Sequence, residues 1–160
     1  MSVQNSTILI TNVTSFVGKP GCQALLDGGA NIMVHDRSFA EAEGRAAFEA
    51  EVPGVHALAA QTPEEIVAEA EALAPVDVLI NNDDGAAKRA KIEDADPADL
   101  REALESMVVW PFVLTGAMTP AMKARKSGKI IFVTSATPLR GLPNYSMYVT
   151  ARGATNSLTL

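Results

Sequence analysis

Short apolar runs alternate with helical stretches five times along the chain, and this alternation limits the fold more than any other feature. The runs are Thr7–Thr11, Asn31–His35, Val55–Ala59, Asp77–Asn81 and Lys129–Thr134. Between them lie Gly18–Leu26, stopped by Asp27-Gly28-Gly29, then Phe39–Glu49, ended near Pro53-Gly54, and Pro63–Leu73. A long helix follows, capped by Asp96, opened by Pro97 and running to about Lys126. Helical character resumes at Met147.

This pattern predicts an α/β fold, a doubly wound parallel sheet of Rossmann type with strand order 3-2-1-4-5 and helices on both faces. Residues 1–160 read as a single domain that stops before a sixth strand. Ligands of such sheets bind at the carboxyl ends of the strands, where the order switches between strands one and four. A content of 48% hydrophobic and 20% charged residues suits a folded core, and a net charge of −6 repels phosphate backbones and argues against nucleic acid. No apolar run approaches the ~20 residues of a membrane span. The polar start, Met1 to Ser6, carries no leader pattern, so a cytoplasmic location is expected. Cys22 is the sole cysteine, which excludes disulfides. His35 and His56 lack a third ligand and read as structural, so no metal is expected.

After strand one the chain reads Thr11-Asn12-Val13-Thr14-Ser15-Phe16-Val17-Gly18. Its position and spacing resemble the dinucleotide loop of the short-chain dehydrogenases/reductases, Thr-Gly-three residues-Gly-hydrophobic-Gly. Only Gly18 survives; Asn12 and Phe16 replace the other two glycines. The middle glycine lets the backbone approach the pyrophosphate at the helix N-terminus. A Phe side chain there fills that space, so no NAD(P) cofactor is expected. Asp36, at the end of strand two, stands where an acid would hold an adenosine ribose; without the glycines it reads as an inherited or solvated turn residue.

Strand five ends at Ser135, and thirteen residues later comes Tyr148-Val149-Thr150-Ala151-Arg152. Tyr148 and Arg152, four apart, share one helix face. The set resembles the reductases' Ser … Tyr-three residues-Lys, with Arg for Lys. Arginine is permanently charged and its planar fork favours the tyrosinate, so Tyr148 reads as a general base.

A plugged loop together with Ser135, Tyr148 and Arg152 resembles the halohydrin dehalogenases, cofactor-independent relatives of those reductases. His35-Asp36, Asn82-Asp83, Lys126-Ser127-Gly128 and Ile131 to Pro138 match that family's style. The resemblance implies a halohydrin or epoxide substrate, a released halide ion, and a likeness running over essentially the whole chain. It implies that Tyr148 takes the hydroxyl proton, Ser135 holds that oxygen, Arg152 stabilises the tyrosinate, and the alkoxide expels halide to close an epoxide. In reverse, azide, cyanide or nitrite would open epoxides. Phe16 is expected in the wall of the halide pocket, and Pro138, Leu142 and Tyr145 in that of the substrate pocket. Most of the family's halide-site loop follows a sixth strand, so activity of these 160 residues alone is open. Met107 falls where reductases place a proton-relaying Asn, and Asn81-Asn82-Asp83-Asp84 replaces their Asn-Asn-Ala-Gly. The loop Gly85–Ala90 contains no aromatic, and Trp110-Pro111-Phe112 interrupts the long helix. A homo-oligomer, dimer or tetramer, is implied by the same resemblance. Two other readings stay open: an NAD(P)-dependent reductase with a divergent loop, and a non-catalytic Rossmann-like sensor.

Overall fold

A computed structural model describes residues 3–159; Met1 and Ser2, where the polar start begins, and Leu160 lie outside the described residues. Five parallel strands form one sheet: β1 (Thr7–Ile10), β2 (Asn31–Val34), β3 (Val55–Ala57), β4 (Val78–Asn81) and β5 (Lys129–Phe132). Their order is β3-β2-β1-β4-β5, as the alternation predicts. In β1, Ile8 is the register partner of Ile32 on one side and Val78 on the other. Successive side chains of a strand point to opposite faces, so β1 feeds two cores. Ile8 and Ile10 pack with Val34, Phe39 and Phe48 on one face. Leu9 packs with Leu79, Ile66, Leu114 and Met118 on the other. Both faces are covered, which is why the strands read as unbroken apolar runs.

The helices are α1 (Gly18–Asp27), α2 (Ala42–Glu51), α3 (Pro63–Leu73), α4 (Pro97–Leu104), α5 (Trp110–Arg125), α6 (Thr137–Arg140) and α7 (Ser146–Ser157). Polar caps start two of them, the expected Asp96 and also Thr62. Thr62 accepts from the Glu65 amide ahead of Pro63, and Asp96 accepts from the Ala98 amide ahead of Pro97. Gly29, at φ +80°, turns the chain left-handed after α1.

Four local features depart from expectation. Strands β1, β2 and β5 stop short of Thr11, His35 and Thr134, because the chain turns there into the site loops. Helix α2 begins at Ala42, since Asp36 captures the Ser38 amide and hydroxyl and starts a separate turn, Arg37–Ala40. Phe39 sits in that turn, its ring centroid 5.4 Å from that of Phe48. The expected single long helix is α4 and α5 joined by a π-helical turn, Glu105–Val109. Pro111 has no N–H to offer the Met107 carbonyl, and that carbonyl accepts the Thr155 hydroxyl of α7 at 2.8 Å. Helix α6 has no counterpart in the expected elements; Pro138 lies in its first turn and Gly141, at φ +67°, follows its end. Among the described residues no helix is long and apolar enough to cross a membrane.

Candidate active site

The loop after β1 keeps the backbone shape of a glycine loop without its glycines. Asn12 and Phe16, at the two lost positions, have φ of 47° and 53°. Asn tolerates this left-handed conformation; for Phe it is strained, costing on the order of 1 kcal/mol. Asn82 secures the strained segment. Its side-chain amide donates to the Asn12 and Ser15 carbonyls, at 3.0 and 2.9 Å, and Asn12 Nδ2 returns a bond to the Asn82 carbonyl. Gly18 survives for a different reason: a Cβ there would lie 2.0 Å from the Val13 carbonyl oxygen. The Phe16 ring lies over the Arg152 guanidinium, 5.6 Å from centroid to carbon, and the residue remains 50% exposed.

Asp36 is buried, a correction to its reading as a solvated turn residue. It accepts the amides and hydroxyls of both Thr14 and Ser38. Burial works against its charge, but these four bonds outweigh burial and hold the carboxyl below its usual range. They also occupy the carboxylate oxygens that a ribose would need.

Arg152 is completely buried, and the post-β4 loop is built around it. Its Nη1 donates to the carbonyls of Asp83 and Val133, at 3.1 and 3.2 Å. Its Nη2 donates to Asp84 Oδ1 at 2.6 Å, and its Nε to the Tyr148 phenol at 3.2 Å. The protein itself thus takes most of the fork's donors and aims one at Tyr148. A buried cation needs a counter-charge, and Asp84 is the carboxylate that bonds it. The Asp83 carboxyl turns away to accept from Thr11 Oγ1 at 3.0 Å. Burial pushes Asp83 up to about 6, against the bond from Thr11 and the charges of Arg37 and Arg152.

Tyr148 is half-buried on α7 against the cluster of Ala103, Met107 and Ala151. Met107 is fully buried, and its methyl would lie 3.1 Å from a Cβ added at Gly85. The position of the reductases' relaying Asn is therefore apolar filling. Ser135 follows β5, but its hydroxyl donates to Thr137 Oγ1 and accepts from the Thr137 amide, both at 3.1 Å. Among the described residues it makes no hydrogen bond to Tyr148. The structure joins Tyr148 and Arg152 directly and leaves the Ser135 hydroxyl bonded to Thr137, the first residue of α6.

The expected substrate-pocket residues separate. Leu142 lines a hollow of about 440 Å³ with Ala90, Lys91 and Val149. Tyr145, one turn before Tyr148, carries the Arg89 guanidinium over its ring at 5.8 Å. Pro138 packs against α7 at Gly153. The space where a dinucleotide phosphate would approach is a hollow of about 310 Å³ lined by Asn12, Ser15, Asp84, Gly85 and Ala86. A roomier hollow, about 510 Å³ beside Gly128 and Ile130, lies at the amino ends of the strands, away from this chemistry. His35 is buried, stacked on Trp110 at 6.1 Å, and burial pushes it down to about 4, so it is neutral. His56 is exposed on β3, 4.0 Å from Glu49. Sequence reading placed Asn82 and Asp84 near the site but missed their bonds. The only local signal was the carboxylate run Asp83-Asp84, whose cationic partner, Arg152, lies 68 residues along the chain from Asp84.

The family model for short chain dehydrogenases matches residues 6–160. The chain belongs to that family. Among curated relatives, the 2-dehydro-3-deoxy-D-gluconate 5-dehydrogenase of Formosa agariphila is 30% identical over 166 residues, covering 98% of this chain and 62% of its own length. Among solved structures, a dehalogenation enzyme is 44% identical at a TM-score of 0.96, covering 99% of this chain and 65% of that one. A halohydrin dehalogenase bound to ethyl (2S)-oxiran-2-ylacetate is 34% identical at a TM-score of 0.90, over 96% of this chain and 62% of that one. The chain thus spans a little under two thirds of the relatives it matches. Its structural neighbours include dehalogenases, and it carries the fold of an enzyme family whose curated members include dehydrogenases.

Proposed function

We propose that this chain holds the base and the plugged loop of a cofactor-independent halohydrin dehalogenase. The observation that carries the reading is the Phe16 ring over Arg152, in the loop that would otherwise receive a pyrophosphate. Three further features support it. Asp36 has its oxygens filled by Thr14 and Ser38. Asp84 puts a carboxylate in the wall of the vacated hollow. Arg152 has most of its donors taken by the protein, where a nicotinamide ribose would need them free. These residues do not fit a dinucleotide.

The chemistry needs no hydride. Tyr148, with Arg152 Nε on its oxygen, accepts the proton of the substrate hydroxyl. The Ser135 hydroxyl turns from Thr137 to the same substrate oxygen. The resulting alkoxide attacks the neighbouring carbon, the carbon–halogen bond breaks, and halide leaves with its electron pair. Asp84 repels an anion from its side of Arg152, so halide departs past the edge of the Phe16 ring, where the partial charge is positive. Run backwards, azide, cyanide or nitrite opens the epoxide, and Tyr148 returns the proton. The exposed Val109 and Phe112 offer an apolar face for a second copy, in keeping with a homo-oligomer. Titration with NADH or NADPH, followed by fluorescence, tests the plugged loop. The expected outcome is no saturable binding up to millimolar cofactor; micromolar binding returns the site to the reductases.

A further inference from the structure

The loop that follows β4 runs against the charge of the chain. Residues 85–91 hold Lys88, Arg89 and Lys91 and no acid, within a chain of net charge −6. The three cations are not equivalent. Lys88 is spent on Asp99 and Glu102, at 2.6 and 3.0 Å. Among the described residues, Arg89 and Lys91 have no carboxylate within ion-pairing distance. Lys91 shares the wall of the 440 Å³ hollow with Glu93, a group of opposite charge. Arg89 therefore supplies the uncompensated positive charge.

Its place is fixed relative to the reacting group. The Ala90 amide donates to the Asn144 carbonyl at 2.9 Å, which ties this loop to the segment entering α7. Arg89 then rests over the Tyr145 ring at 5.8 Å. Tyr145 is the residue that leads into α7, three positions before Tyr148, and Arg152 lies one turn beyond Tyr148 on that helix. Arg89 thus sits over the entry to α7, and Tyr148 and Arg152 follow along the helix. A substrate whose hydroxyl meets Tyr148 and whose halide leaves toward Phe16 extends its other substituent toward Tyr145 and Arg89. A planar guanidinium with free donors matches a carboxylate in both charge and shape.

We propose that the site selects substrates bearing an anionic substituent, a carboxylate near the hydroxyl-bearing carbon, and that Arg89 is the residue that reads it. The inference rests on the dehalogenase reading for the substrate's orientation. A matched pair isolates the charge: 4-chloro-3-hydroxybutanoate and its ethyl ester share the reacting carbons and differ at the far end. Their halogen-free counterparts, 3-hydroxybutanoate and ethyl 3-hydroxybutanoate, report binding without turnover.

The test is calorimetric titration with the halogen-free pair and halide release from the chlorinated pair, on the parent chain, Arg89→Gln and Arg89→Lys. The expected result is a roughly fivefold preference for acid over ester, the upper end of the scale for an exposed ion pair. The ratio falls to about one in Arg89→Gln, stays above one in Arg89→Lys, and shrinks as ionic strength rises. Equal affinity for acid and ester, binding of neither, or a preference unchanged in Arg89→Gln overturns the inference. An Arg89-dependent preference without halide release keeps the inference and removes the dehalogenase reading; halide release at equal efficiency from both members does the reverse.

Discussion

Arg152 carries a full charge at zero exposure, and its neighbours divide the work of keeping it there. Asp84 supplies the counter-charge at 2.6 Å, and the Asp83 and Val133 carbonyls accept from Nη1. Asp84→Ala leaves a buried cation unpaired and is expected to cost about 3 kcal/mol in denaturant unfolding, with Asp84→Asn costing less. Asp83 behaves differently, because burial pushes its carboxyl from 3.8 up to about 6. The folded protein thus holds that proton more tightly than the unfolded chain. The stability it confers is complete below about pH 4 and is lost as pH rises through 6, by roughly 2–3 kcal/mol. In Asp83→Asn this loss is absent, so the variant gains stability over the parent between pH 4 and 7; equal pH profiles would contradict the burial argument. His35 works in the opposite direction, since burial pushes it down to about 4 and its stability is lost on acidification. At this scale Tyr148 and Arg152 were legible from their spacing of four, and Phe16 from its place in the loop. The Asp84 pairing was not, because nothing local in Asp83-Asp84 says which carboxylate turns inward.

The elements themselves were legible where apolar period and caps agreed, as in α3, whose bounds match Pro63–Leu73, and in the strand order. They were less so where side chains from elsewhere intervene. The π-helical turn at Glu105–Val109 depends on Pro111 withholding a donor and on Thr155, 48 residues away, supplying one. This junction sets Met107 beneath Gly85 and joins the long helix to α7, the helix that carries Tyr148. Thr155→Val keeps the volume and removes the hydroxyl, leaving the buried Met107 carbonyl short of a partner. It is expected to lower stability by about 1–2 kcal/mol in a denaturant titration. A neutral result would mean that the carbonyl is satisfied within the helix. Helix α6 escaped sequence reading because its start depends on the Ser135 hydroxyl, a residue read there for catalysis alone.

Across the whole molecule, the sheet has the strand order and switch point of the short chain dehydrogenase family. The carboxyl ends of β1, β4 and β5 lie together, and the Tyr148 phenol stands on α7. What differs is side-chain occupancy: an aromatic ring in the glycine loop, a saturated Asp36, and an arginine held by its own carboxylate. Fold alone does not separate a reductase from a dehalogenase, and this chain resembles members of both groups. The proposed dehalogenase reading rests instead on the residues at the loop, above all the Phe16 ring over Arg152. The most direct measurement is halide release from 1,3-dichloro-2-propanol with no nicotinamide present, comparing the parent with Tyr148→Phe. The account predicts equal amounts of chloride and epoxide from the parent and none above background from the folded variant. No chloride from a folded parent, or undiminished release from Tyr148→Phe, would contradict it.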